Sequence, residues 1–188
     1  MLKSARPFCS IALFSSLPKI FKAESMNSNK TNLISQYIKA KDNNKPHLMK
    51  HVFAEQAKVA GLDKITQTLV CEFNTTYENI YTLCLTDTLQ QTQNRLSCRW
   101  VVCMTDKTSQ SLRIGYGNYQ WDFKNDTSAL VHHLTITIEN MSFLPQSHQS
   151  DVLTWFDKQP YPWALSSELQ TTMPDNKLLS DTLMPLYR

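Results

Sequence analysis

The spacing of apolar residues changes from a helical repeat to a two-residue repeat part-way along the chain, and this change constrains the fold more than any other feature. Up to Thr76 the apolar residues recur every three or four positions, as along one face of an amphipathic helix. From Asn79 to Met141 they alternate with polar residues, as in strands with one buried face. Helices followed by antiparallel strands predict an α+β fold in which a strongly bent sheet of four or more strands packs on the helices.

Three helices are expected before the strands. The first covers residues 31–42, the second residues 46–55 and the third residues 62–76. Pro46 favours the start of the second helix, because its missing N–H costs nothing in a first turn. On the first helix, helical spacing aligns Leu33, Ile34, Tyr37, Ile38 and Lys41.

Four strands are expected, over residues 79–86, 96–105, 112–123 and 130–141. In the third strand the apolar phase changes between Tyr116 and Tyr119, which predicts a bulge beside Gly115 and Gly117. In the fourth strand, alternation places His132 on the same side as Leu134, the side expected to face the core.

The chain divides into three parts by pattern and charge. Residues 1–25 carry four basic groups and one acidic group and are expected to form an unstructured extension. Residues 26–164 form the predicted α+β domain, which includes a last helix over residues 150–158, and residues 165–188 are expected to be an irregular tail. Residues 26–188 carry 15 basic and 15 acidic groups, a balance that argues against a nucleic-acid partner. The 3 glycines are too few for glycine-rich phosphate loops.

The first 25 residues leave the location of the protein open between three readings. The apolar run of residues 8–17 is too short to span a bilayer, but it is long enough for the core of a signal peptide. A small-x-small cleavage site is lacking before Ala23, which favours Met26 as the start of the folded domain, a cytoplasmic location and no membrane partner. Export through a signal peptide and import through a transit peptide are the alternatives. The 5 cysteines are odd in number and contain no CxxC, as expected for free thiols in a reducing compartment.

The segment from Tyr37 to Val59, YIKAKDNNKPHLMKHVFAEQAKV, resembles the opening of the nuclear transport factor two-like superfamily. This superfamily includes SnoaL-like polyketide cyclases and ketosteroid isomerases. The predicted order of helices and strands extends the resemblance over about residues 30–160. The resemblance implies a cystatin-like α+β cone with an apolar pocket at its open end.

The resemblance also implies roles for individual residues. Tyr37 falls where ketosteroid isomerases place the tyrosine that donates a hydrogen bond to the developing enolate. Gly61 stands where those enzymes carry the aspartate that moves the proton, and Tyr119 stands in place of their neutral carboxylic acid. The isomerase mechanism therefore lacks its proton acceptor in this sequence.

Four residues are candidates for a ligand pocket, namely Tyr37, Arg99, Tyr119 and His132. His132 is either a base with a pKa near neutrality or a hydrogen-bonded core histidine, and together with Tyr37 it is a candidate catalytic residue. Arg99 shares a strand face with Ser97 and Val101, where it either binds an anionic ligand or is solvated. No metal or cofactor is expected. His47 and His51 have the i, i+4 spacing of a zinc-binding helix, but the sequence lacks the HExxH motif that would accompany it.

Two classes of function remain. The preferred one is a dimeric, non-catalytic module that binds a small apolar ligand in its cone pocket, because the proton-transferring aspartate and the neutral carboxylic acid of the ketosteroid isomerases are absent. The alternative is a cofactor-free isomerase, lyase or cyclase that acts on a small hydrophobic substrate by general acid–base chemistry. The homodimer is expected through an aromatic-rich sheet face, which this superfamily often uses as a dimer interface.

Overall fold

The computed structural model describes residues 17–60, 73–124 and 130–187, and within these ranges the chain forms one curved, seven-stranded sheet. The sheet order is β1-β6-β5-β4-β2-β7, with β3 paired to β4. The strands are β1 (Phe53–Val59), β2 (Tyr77–Leu85), β3 (Gln90–Gln91), β4 (Arg95–Asp106), β5 (Leu112–Phe123), β6 (Val131–Leu144) and β7 (Trp163–Ala164).

Helices precede and follow the strands, so the predicted α+β class is confirmed. They are α1 (Leu17–Asp42), α2 (Gln149–Asp157), α3 (Ser166–Thr172) and α4 (Lys177–Leu183), with 3₁₀ turns at Pro46–His51 and Met184–Tyr187. α1 begins at Leu17, ahead of residue 31 where the spacing placed its start. Of the predicted third helix, residues 73–76 are helical and residues 62–72 lie outside the described ranges.

The predicted second helix over residues 46–55 is wrong in its second half. Pro46–His51 is a short 3₁₀ helix, and β1 begins two residues later at Phe53. Val52, Phe53, Ala57 and Val59 are buried, and the last three alternate as strand residues do. The apolar residues of this short segment fit either repeat, which is why spacing alone misassigned it.

The sheet is mixed, whereas an antiparallel sheet was expected. β1 runs parallel to β6, and β2 runs parallel to β7. The pairs β4–β5 and β5–β6 are antiparallel, as is usual for strands that follow each other directly in the chain with few residues between them. β1 and β6 are far apart in the sequence, so no hairpin turn sets their relative direction.

The bulge predicted in β5 lies instead in its neighbour β6. β5 pairs with β4 without interruption, and its side chains alternate strictly between the two sheet faces. The β5–β6 register shifts between Tyr116↔Asn140 and Gly117↔Ile138, which leaves Glu139 as the extra residue. Gly117 is required at this point, because a Cβ there would overlap the Thr137 carbonyl oxygen of β6.

The sheet separates two hydrophobic cores. The first lies between α1 and one sheet face and includes Ile34, Tyr37, Ile38, Trp100 and Trp121. The second lies on the opposite face and includes Leu83, Leu112, Ile114, Tyr116, Phe156, Leu169, Leu179 and Leu183. The expectation of an irregular tail is therefore wrong for residues 166–187, which contain helices and bury Leu169, Leu179 and Leu183 in the second core. The division of the chain at residues 25 and 164 stays a prediction.

Candidate functional site

An apolar cavity of about 210 Å³ lies in the first core, between α1 and the sheet. A cavity of roughly 150 Å³ lined by aliphatic and aromatic side chains is large enough for benzene. This cavity therefore has room for one ring and a short substituent. Its lining residues are Tyr37, Lys41, Phe73, Trp100, Val102, Met104, Tyr119, Ile136, Ile138 and Met141.

The local sequence explains why these side chains share one cavity. Trp100, Val102 and Met104 alternate along β4 and so project from the same face. On β6, Ile136 and Ile138 follow the same rule, and the extra residue Glu139 then brings Met141 rather than Asn140 to that face. On α1, Tyr37 and Lys41 are four residues apart and lie one turn from each other.

Two buried phenols form one wall of the cavity. The rings of Tyr37 and Tyr119 meet edge to face with centroids 6.0 Å apart. Burial, assisted by the negative charge of Asp42, raises the pKa of Tyr37 far above its usual value. Burial also raises the pKa of Tyr119, with a further contribution from Tyr37. Both phenols therefore stay protonated at neutral pH, where they can donate hydrogen bonds but cannot act as bases.

Lys41 brings a charge to the cavity wall, and Asp42 balances it. Lys41 Nζ donates to Asp42 Oδ1 at 2.5 Å and to Thr82 Oγ1 at 2.8 Å, and it lies 5.0 Å from the centre of the Phe73 ring. Asp42 Oδ2 also accepts from Thr82 N at 2.8 Å and from Tyr161 OH at 3.1 Å. The Asp42 side chain is 2% exposed, so this is a buried ion pair with several supporting hydrogen bonds.

Comparison with known proteins gives structural matches only. No family model matches the sequence, and no match was found among curated proteins. The structure is similar to TsrD from Streptomyces laurentii, at 9% identity over 58% of this chain and 87% of that chain, with a TM-score of 0.51. A SnoaL-like polyketide cyclase from Agrobacterium tumefaciens matches at 9% identity over 58% and 91% of the two chains, with a TM-score of 0.49. A nuclear transport factor 2-like superfamily protein from Salmonella enterica matches at 13% identity over 62% and 92%, with a TM-score of 0.48.

The chain has the nuclear transport factor two-like fold. This confirms the fold that the resemblance of residues 37–59 predicted. At identities this low the likeness concerns the fold alone, and the activity of the matched cyclase says nothing about this chain.

Within this nuclear transport factor two-like fold, the cavity brings together two of the four predicted pocket residues. Tyr37 and Tyr119 line it, whereas Arg99 and His132 do not. Arg99 projects from the opposite sheet face, where its guanidinium donates to Glu139 Oε2 at 2.7 Å and to the Leu186 carbonyl at 2.8 Å. Its position follows from strand alternation, since its neighbour Trp100 faces the cavity.

His132 is displaced by a second register shift in β6. Val131 pairs with Phe123 and His133 pairs with Asp122, so His132 is the extra residue between two paired positions. Val131 is fully buried in the first core, and His132 is half-buried. The predicted core face over residues 130–138 is therefore wrong at its start, because an extra residue reverses the alternation there.

Most of the lining was not identified from the sequence as a site. The alternation of Trp100, Val102 and Met104 was the available signal, but it indicates a core face and not a cavity. No pattern in the sequence identified Met141 as a lining residue, because its orientation depends on the Glu139 bulge. Among the described residues, no group of three potential metal ligands lies together, and none of the described helices is long and apolar enough to cross a membrane.

Proposed function

We propose that the protein binds a small apolar ligand in the cavity between α1 and the sheet, and that it does so without catalysis. The observation that carries this proposal is the composition of the lining, which is aromatic and aliphatic apart from Lys41. Transfer of apolar surface from water into such a site is favourable by roughly 25 cal/mol per Å². Lys41 does not oppose it, because Asp42 neutralises the ammonium group.

The proton chemistry of the lining supports binding rather than catalysis. A general base must be deprotonated at the working pH and within reach of the substrate. Tyr37 and Tyr119 have raised pKa values, and Lys41 Nζ is engaged by Asp42 and Thr82. Among the described lining residues, none therefore offers a base at neutral pH.

The alternative function is a cofactor-free isomerase, lyase or cyclase, and one observation favours it. The Tyr37–Tyr119 pair is a protonated hydrogen-bond donor in an apolar site, which is the type of group that stabilises a developing oxyanion. This chemistry also requires a base, and the predicted base His132 does not line the cavity. We therefore rank catalysis second.

Binding of benzene and indole, followed by ligand-observed NMR and thermal melting, tests the proposal. Val102→Phe fills the cavity and is expected to weaken binding at least tenfold, by roughly 1.4 kcal/mol or more. Gln120→Phe adds an aromatic ring on the opposite sheet face and serves as the matched control, with affinity unchanged. Failure of both probes to bind the unmodified protein at millimolar concentration would contradict the proposal.

Homodimerisation stays a proposal, and the fold changes the surface it would use. The sheet face that carries the second core is covered by α2, α3 and α4 of the same chain. A dimer on this side would therefore meet the outer surfaces of these helices. Light scattering at micromolar concentration measures the oligomeric state directly. A mass of twice the 21.7 kDa of one chain supports the dimer, and a mass of 21.7 kDa contradicts it.

A further inference from the structure

A positively charged residue, Arg113, lies on the same sheet face as the cavity. Its neighbours Leu112 and Ile114 belong to the second core, so strand alternation directs the Arg113 side chain to the face of the first core. Across the sheet, Arg113 pairs with Met104 of β4 and with Phe143 of β6. Met104 lines the cavity, and Arg113 therefore lies beside one end of it.

Two aromatic rings hold the Arg113 guanidinium. Its central carbon lies 4.4 Å from the centre of the Phe143 ring and 5.3 Å from the centre of the Tyr77 ring. Arg113 Nη1 also donates a hydrogen bond to Tyr77 OH at 2.5 Å. The Tyr77 ring packs on the ring of Phe73 with centroids 5.2 Å apart, and Phe73 lines the cavity. The guanidinium is therefore held next to the lining.

The guanidinium keeps an accessible donor and an unpaired charge. Nε is buried without a partner and Nη1 is engaged by Tyr77, whereas Nη2 is neither buried nor hydrogen-bonded among the described residues. No described acidic residue forms an ion pair with Arg113. The backbone N–H of Ser109 chiefly lowers the pKa of Asp106, and the charge of Arg113 lowers it further, so Asp106 attracts Arg113 without contact. Nη2 is therefore open to an anion from solvent.

Exposed apolar side chains connect the cavity to Arg113. Ile138 lines the cavity and is 61% exposed, so the cavity opens to solvent along β6. Phe143, against which the guanidinium packs, is 57% exposed. Met141 lies between them on the same face and also lines the cavity. Two residues of a strand span about 7 Å, so an apolar group at Met141 and a polar group on Arg113 are a short alkyl chain apart.

The charges at this end of the cavity favour a ligand with one negative charge. Arg113 supplies a single positive charge, because Lys41 in the cavity is already paired with Asp42. A guanidinium and a carboxylate form charge-assisted hydrogen bonds, which are stronger than neutral ones. A phosphate monoester would bring a second negative charge toward Asp106. The monoanion is therefore the better match.

We propose that the ligand is an amphipathic carboxylate, with its apolar part in the cavity and its carboxylate on Arg113. This inference rests on the proposed function, because it names the class of ligand for the same cavity. It assigns Arg113 as the binding residue that selects the head group, while the cavity selects the apolar part.

Two probes of nearly equal shape test the inference on the unmodified protein. Phenylbutyrate carries the carboxylate, and phenylbutyramide replaces it with a neutral amide. We expect phenylbutyrate to bind about tenfold tighter, because only the carboxylate pairs with the Arg113 charge. Equal affinities, tighter binding of the amide, or no binding of phenylbutyrate where benzene or indole binds would overturn the inference and leave the proposed function standing. If neither these probes nor benzene and indole bind, both are contradicted.

Substitutions at two arginines locate the carboxylate. Arg113→Gln should make the affinities of the two probes equal within about twofold, whereas Arg95→Gln should keep the preference for phenylbutyrate. Arg95 precedes Leu96 of the first core and so faces the other side of the sheet, and its side chain is 54% exposed. Both variants lose one positive charge, so a general change in net charge does not decide the result. A preference that survives Arg113→Gln would overturn the inference, as would its loss in Arg95→Gln.

A measurement on the unmodified protein decides if Arg113→Gln does not fold. The NMR signals of the ¹⁵N-labelled Arg113 guanidinium report directly on a group that binds there. Phenylbutyrate at saturation should shift these signals, and phenylbutyramide should shift them much less. Equal shifts, or no shift with either probe, would overturn the inference.

Discussion

Asp42 joins three segments of the chain through one buried carboxylate. It accepts hydrogen bonds from Lys41 at the end of α1, from Thr82 in β2 and from Tyr161 beyond α2. Removal of this group leaves the Lys41 ammonium buried without its counter-ion. Because each partner lies on a different element, the carboxylate fixes the end of α1 against the sheet.

We expect Asp42→Ala to lower the free energy of unfolding by about 3–5 kcal/mol, the usual cost of breaking a buried ion pair from one side. Asp181→Ala is the control, because its pair with Lys177 spans one helical turn with side chains 61% and 87% exposed. The control should change stability by less than about 0.5 kcal/mol. Urea denaturation measures both, and equal effects would contradict the role assigned to Asp42.

Buried thiols and phenols predict a loss of stability at alkaline pH. Burial raises the pKa of Cys103 well above its usual value, and the pKa values of Cys84, Tyr37 and Tyr119 are also raised by burial. These groups keep their protons in the folded state at a pH where the unfolded chain loses them. Their stabilising contribution is therefore complete below the unfolded pKa values, about 8.5 for thiols and 10 for phenols, and decreases as the pH rises above them.

Each such group should lower the free energy of unfolding by up to about 1.4 kcal/mol per pH unit. Urea midpoints between pH 8 and 10, measured with a reductant, test this. Cys103→Ala should make the fall of the free energy of unfolding with pH smaller by the contribution of one thiol. Val101→Ala changes a residue of the same core that does not titrate, so it should leave the slope against pH unchanged. A flat profile for the unmodified protein would contradict the assignment.

At the scale of elements, the approach of β6 to β5 depends on Gly117. A methyl group there would overlap the backbone of Thr137 and press on Trp100. We expect Gly117→Ala to destabilise the protein by about 1–3 kcal/mol or more, as overpacking against backbone does. Asn118→Ala, the next residue on the opposite face, should cost less than about 1 kcal/mol. The melting temperature of Gly117→Ala should be clearly lower than that of Asn118→Ala. Similar melting temperatures would show that β6 moves to accommodate the methyl group without loss of stability.

The C-terminal helices offer two adjacent leucines with opposite environments. Leu179 is fully buried in the second core, and Leu178 is 47% exposed. Leu179→Ala should lower the free energy of unfolding by about 2–5 kcal/mol, whereas Leu178→Ala should stay within about 0.5 kcal/mol. If both variants have the melting temperature of the unmodified protein, α4 does not pack on the sheet as described.

At the scale of the whole molecule, the strands were predicted from the sequence better than the helices. The strands expected over residues 79–86, 96–105, 112–123 and 130–141 correspond to β2, β4, β5 and β6, because the two-residue repeat of the sequence extends over most of each segment. α3 and α4 have seven residues each, too few for a clear helical repeat. Their positions depend on the sheet face that they cover, a tertiary interaction that local spacing does not report.

The candidate site was predicted in part for a similar reason. The resemblance identified Tyr37, and the strand pattern identified the face that carries Trp100 and Tyr119. The cavity itself depends on register shifts at His132 and Glu139, which turn individual side chains of β6 to one face or the other. A shift of one residue leaves the composition of a strand unchanged, so the sequence alone does not reveal it.

The covering of the second sheet face by α2, α3 and α4 has a consequence for synthesis of the protein. Ribosomes add about 5–20 residues per second, and 43 residues separate Leu144, the end of β6, from Tyr187. The nascent chain therefore carries β1 to β6 with one incompletely covered apolar face for roughly 2–9 s before the last of these helices is made. During that interval it has the exposed surface that recruits chaperones and causes aggregation, so slow decoding after residue 144 would lower the yield of native protein without any change in its sequence.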